Sequence, residues 1–167
     1  MRAGEARRPA TAQLDAYRLG VPRPLRSDLP DGIYHVTTRG VAGTEIFVDD
    51  HDRRTFLVRL ADVVRRFEWR WYALCLMDTH YHLVIETTRL SLSGGLKRLN
   101  GLYAQGFNER HERRGHLFGD RFWASLVETE EHFRAACWYV VCNPVRAGRC
   151  DEPEDWPWTR MRFLPRV

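Results

Sequence analysis

The chain has 167 residues, 44% of them hydrophobic and 29% charged, which is material for one globular domain with a real core. Its formal charge is +4, and all but one of its 26 basic residues are arginine, Lys97 being the exception. No run approaches the ~18 apolar residues a membrane span needs, and no apolar stretch follows the first arginines, so neither a span nor a secretory leader is expected.

Residues 1–29 are rich in Arg, Ala and Pro and lack periodicity, so they read as a basic, flexible N-terminal arm. Residues 30–167 read as a single domain opening at the turn signal Pro30-Asp31-Gly32. Ile33 to Arg39 is strand-like, and Gly40 and Gly43 break it. Asp49 or Asp50 caps a helix running to about Phe67, in which Phe56, Leu57, Leu60, Val63, Val64 and Phe67 recur at helical spacing. Trp69 to Met77 and His80 to Thr87 form a hairpin about Asp78-Thr79. Ser91 opens a second helix through about Arg110, followed by the basic loop RHERRGHLFGDR and a strand from Trp123 to Glu128. Thr129 opens a third helix, which Pro144 limits. The order β-α-β-β-α-β-α predicts an α+β fold of ferredoxin-like (split β-α-β) type, an antiparallel sheet with helices packed on one face.

Cys75, Cys137, Cys142 and Cys150 show no C-x-x-C spacing and read as reduced, buried small hydrophobes. The arginine excess has two readings, codon bias in a GC-rich genome and phosphate recognition by a planar bidentate cation. Acidic residues gather in 128–155, while the arm and the segment 97–121 are basic, which points to one nucleic-acid-facing side.

The chemistry lies in MDTHYHLVIE, residues 77–86. On a strand His80 and His82 share a face about 7 Å apart, with Glu86 on the same side and Tyr81, Leu83 and Ile85 on the other. Two imidazoles on one rigid strand are a start for a divalent metal site, though not sufficient alone. In the third helix Tyr139 and Asn143 stand one turn apart on one face, with His132 on roughly the same side. That pair reads either as a nucleophile and a third ligand, or as a half-buried aromatic and a helix terminator before Pro144. Tyr103 is a rival nucleophile but sits at the edge of an apolar stripe and reads as core.

The runs YHVTTRG, EIF, MDTHYHLVIE, GHLFGDRFW and YVVCNPVRAG together resemble the single-tyrosine HUH transposases, most closely the REP-associated tyrosine transposases, over about residues 31–160. The resemblance implies that His80 and His82 hold a Mg2+ or Mn2+ ion, that Asn143 is its third ligand, and that Tyr139 is the nucleophile. It also implies single-stranded, hairpin-containing DNA as substrate, cut and rejoined through a 5′-phosphotyrosine, by a cytoplasmic monomer or homodimer that is nucleoid-associated on DNA. The departure Val41-Ala42-Gly43, where the family commonly carries polar residues, puts the same mode of site recognition in question. Arg39, Lys97, Arg98, Arg110, Arg113, Arg114 and Arg121 are candidate DNA contacts, with solvated surface charge as the plainer reading of each. Trp123, Trp156 and Trp158 are either base-stacking surfaces or core. Two other functions fit the same residues: a non-catalytic nucleic-acid-binding module, and a metal-dependent phosphodiesterase using water.

Overall fold

A computed structural model describes residues 30–119 and 121–162. The arm expected over residues 1–29 lies outside the described residues. Strand β1 (Gly32–Arg39) is followed by a 3-10 turn and helix α1 (Asp50–Arg66). The hairpin β2 (Arg70–Met77) and β3 (His80–Thr87) leads to helix α2 (Arg89–Arg110). Then come β4 (Trp123–Val127), α3 (Glu130–Val141), the single turn α4 (Asn143–Arg146) and a short β5 (Thr159–Met161).

Local chemistry sets these boundaries. Asp49 caps α1 by accepting from the Asp52 backbone N–H at 3.0 Å. The Thr129 hydroxyl caps α3 in the same way, accepting from His132 N–H, and Glu130 and Glu131 complement the positive helix end. Helix α2 begins after Thr88, so Ser91 lies inside its first turn rather than at its cap.

The strands pair antiparallel in the order β4-β1-β3-β2-β5, which is the expected ferredoxin-like sheet extended by one edge strand. The antiparallel α+β arrangement holds, with one adjustment: the helices divide between two faces. Tyr34, Val36, Leu74, Leu76, Tyr81, Leu83 and Ile85 pack with α1 and α2 in a large aromatic core. On the reverse side Ala73, Cys75, Met77, Val84 and Val127 receive Phe133, Ala136, Cys137, Val140 and Val141 of α3. A sheet with apolar residues at both parities must be covered on both sides. A bulge at Tyr72 in β2 sends Trp71 to the first core and Tyr72 and Ala73 to the second. Helix α2 lies close on the sheet because Gly95 faces Trp69: a Cβ there would fall 2.3 Å from the indole.

The tight end of the hairpin, Asp78-Thr79, is fixed from several directions. Ile46 and Phe47 donate backbone N–H bonds to Asp78 O at 2.8 and 3.1 Å, and Gly40 donates to Thr79 O at 2.9 Å. The Asp78 carboxylate takes Arg53 of α1 at 2.5 Å and also Arg149, beyond α4. The tip carrying His80 is thereby tied to the layers on both sides of the sheet.

A candidate metal and phosphoryl-transfer site

Strand alternation delivers the site. Register pairs Arg39 with His80 and Thr37 with His82, so Arg39, Thr37 and His35 of β1 share the α3 face with both histidines. His82 is buried at its centre. Its Nδ1 lies 3.0 Å from Nε2 of His35, itself buried, and the two rings stack with centroids 5.2 Å apart. On its other edge, His82 Nε2 takes the Asn143 amide Nδ2 at 3.2 Å. His80 stands edge-on to His82, ring centroids 5.1 Å apart, with its Nδ1 3.1 Å from the Thr79 hydroxyl.

Helix α3 ends at Val141 and α4 restarts at Asn143 with Pro144 in its first turn, a change of direction that seats the buried Asn143 side chain against the histidines. One turn earlier, the half-buried Tyr139 ring lies 5.8 Å from both the His35 and His82 rings. Among the described residues the Tyr139 hydroxyl has no hydrogen-bond partner. The guanidinium of Arg146 sits 4.5 Å over the ring centroid, a cation–π distance.

The imidazoles are uncharged at neutral pH. Burial holds His82 well below the ordinary histidine range, with the neighbouring His35 and His80 acting in the same direction. Burial and then Arg39 lower His80 to about 4, against the opposing hydrogen bond from Asn143. Burial lowers His35 to about 4, with His132 adding to it. Neutral rings have lone pairs to give. Among the described residues no three His, Cys, Asp or Glu side chains gather as a metal site. A cation here would therefore draw on the two imidazoles and the Asn143 carboxamide, a neutral donor set that leaves positions for phosphate oxygens. The residues fit a divalent ion. Glu86, although on the same face, is occupied elsewhere, accepting from the Tyr72 hydroxyl at 2.6 Å.

The candidate DNA-contacting cations separate into two groups. Arg39 and Arg121 are exposed at the end of the sheet where His80 lies. Lys97, Arg98, Arg110 and Arg113 belong to α2 or follow it, on the far face. There Arg98 bonds Asp62 at 3.3 Å, Arg110 bonds Asp49 at 2.5 Å and Asp52 at 2.6 Å, and Arg113 lies over Phe107; Arg114 beyond them is exposed. Trp158 packs in the first core and Trp156 donates to Leu76 O at 3.0 Å, so both serve packing. Trp123 meets the His35 ring edge-on at 5.4 Å. Tyr103 is core, its hydroxyl donating to Ile46 O at 2.5 Å.

Two site residues escaped the sequence reading. His35 could have been found by alternation from Thr37, but only once β1 was known to lie beside β3. Arg146 follows Asn143 by three residues, and that spacing was the available signal for it.

An antiparallel α+β protein with a histidine pair on one strand, facing an amide and a phenol from a helix, is the class that fold and site define. The chain belongs to the IS200-like transposase family, whose sequence model matches residues 29–142, and the resemblance read from its motifs holds at that level. Among solved structures, the REP-associated tyrosine transposase bound to a REP hairpin is similar in fold (TM-score 0.67, 15% identity, 83% of this chain and 82% of that one). A protein of Deinococcus radiodurans R1 assigned as a transposase is also similar (TM-score 0.51, 20% identity, 73% and 97%). No match is found among curated proteins.

Proposed function

We propose that the protein is a metal-dependent single-stranded DNA transesterase that nicks and rejoins DNA beside hairpins through a 5′-phosphotyrosine intermediate. The observation that carries this reading is the meeting of a phenol that is unpartnered among the described residues, Tyr139, with His80, His82 and Asn143 on one face of the sheet. Family membership supports it, as does the fold shared with a transposase bound to a DNA hairpin.

Tyr139 Oη attacks the phosphorus of a strand phosphate. The phenolic O–P bond forms, the bond to the 3′ oxygen breaks, the phenolic proton passes to solvent, and the departing 3′ oxygen takes one up. The ester so formed keeps the bond energy, so a 3′-OH can reverse the attack and rejoin a strand end without ATP. A Mg2+ or Mn2+ ion held by His80, His82 and Asn143 would supply Lewis-acid polarisation of a non-bridging phosphate oxygen. Asn143 bridges the helix to both imidazoles and holds Tyr139 in register with them. Arg146 places a permanent positive charge beside the phenol, where negative charge develops and the phosphate must arrive. Arg39 extends that charge across to His80.

The test is incubation of the full chain with a labelled, hairpin-bearing single strand and Mg2+ or Mn2+, followed by detection of a protease-sensitive covalent adduct. Wild type forms it, Tyr139→Phe does not, and Arg146→Ala forms it more slowly, on the order of 10²-fold. The proposal falls if wild type forms no adduct on permissive strands or if Tyr139→Phe still does. Cleavage without an adduct would mark a water-using phosphodiesterase, and binding without cleavage a nucleic-acid-binding module.

A further inference from the structure

Three histidines, not two, meet at the site, and the third has its own geometry. His35 is buried on β1, opposite Val84 and therefore diagonal to His82 on the same face. The contact is ring nitrogen to ring nitrogen, His35 Nε2 to His82 Nδ1 at 3.0 Å. Between two neutral imidazoles such a contact needs one N–H and one lone pair, so the two tautomers are linked.

The far side of His82 points to one arrangement. Its Nε2 faces the Asn143 carboxamide at 3.2 Å, with Nδ2 the nearer atom, and in that amide orientation the NH2 group donates and Nε2 carries the lone pair. The proton of His82 is then on Nδ1 and points at His35, whose Nε2 accepts it and whose own proton is on Nδ1. Trp123 and Tyr139 hold the His35 ring edge-on, at 5.4 and 5.8 Å, and limit its rotation.

We propose that His35 is a positioning residue: by accepting the Nδ1 proton of His82 it locks that imidazole in the tautomer and ring orientation that turn Nε2 toward Asn143. This rests on the metal-site reading for its purpose, because a ligating histidine must give a lone pair from the nitrogen its partner leaves free. His35 is not counted among the metal ligands of that reading. It acts through His82.

The proton position is directly measurable. In full-length, metal-free protein with 15N-labelled histidine, long-range 1H–15N correlation should show His82 protonated on Nδ1 and bare on Nε2. His82 protonated on Nε2 would overturn the proposal. His35→Phe should leave His82 in a mixture of tautomers and weaken Mn2+ binding, followed by EPR titration, about 10- to 100-fold. His35→Gln, whose amide oxygen reaches the same position and accepts, should restore the single tautomer and most of the affinity. Equal losses in folded His35→Gln and His35→Phe would count against the role, as would no loss in either. Should His35→Phe fail to fold, the wild-type spectrum and His35→Gln decide. Wild type with the expected tautomer but no Mn2+ binding would sink the metal reading while leaving the orientation of His82 by His35 in place.

Discussion

On one face of the sheet Tyr81 and Tyr103 are buried, and their hydroxyls are engaged: Tyr81 donates to Asn100 Oδ1 at 2.7 Å, Tyr103 to Ile46 O at 2.5 Å. On the other, Tyr139 is half-buried, and among the described residues its hydroxyl is free, with a guanidinium over the ring. Burial pushes the first two phenols up, away from ionisation. The same residue type is a structural pin in one layer and an unengaged phenol in the other. Two pairs of arginines show the same contrast. Behind the sheet, Arg98 and Arg110 are held by carboxylates of Asp62, Asp49 and Asp52, while on the site face Arg39 and Arg146 stand exposed.

The contrast between faces can be broken most forcefully with acid. Native His35 takes its proton only near pH 4, whereas in the unfolded chain an imidazole takes it near 6.5. Between those values the unfolded state binds more protons. Metal-free protein should therefore keep its full stability above about pH 6.5 and lose it as pH falls toward 4, by about 3 kcal/mol for His35 alone at 1.36 kcal/mol per pH unit. Denaturant melts at pH 7.5, 5.5 and 4.5 check this, and a flat profile would mean the histidine cluster is solvated. A smaller effect is expected on the other face. Tyr103→Phe leaves Ile46 O buried without its donor and should cost about 1–3 kcal/mol in a urea melt, yet still form the covalent adduct. Loss of the adduct in a folded Tyr103→Phe would exchange the roles assigned to the two tyrosines. Smallest is the arginine comparison. Arg39→Ala should lower single-strand affinity and reduce its salt slope by about 0.7, one phosphate contact, while Arg98→Ala should change neither. Equal slopes in the two variants would place DNA across both faces.

Elements with strong periodicity or capping were legible in the sequence: the Asp49 cap of α1, the Asp78-Thr79 hairpin and the Thr129 start of α3 all stand where the residues put them. Alternation in β3 also placed His80 and His82 on one side. What periodicity cannot tell is which layer covers which side, so the position of α3 opposite α1 and α2 had to come from the assembled sheet. The three-residue β5 is too short for an alternation signal, and it forms because β2 offers an open edge. His35 depended on strand adjacency, a long-range fact. The α2 arginines read as DNA contacts by charge alone, since their partners Asp49, Asp52 and Asp62 lie 36 to 61 positions away in the chain.

Strand β3 runs between the two layers with its odd-numbered side chains in one and its even-numbered in the other. A slip of one residue would thrust His80 and His82 into the aromatic core and bring Tyr81 and Leu83 out to face Asn143. Such a molecule would lose its core and its chemistry together. The strand thus acts as its own inspector: a chain that folds at all has its imidazoles in place, and no stable but inert misregistered form is left to occupy the DNA.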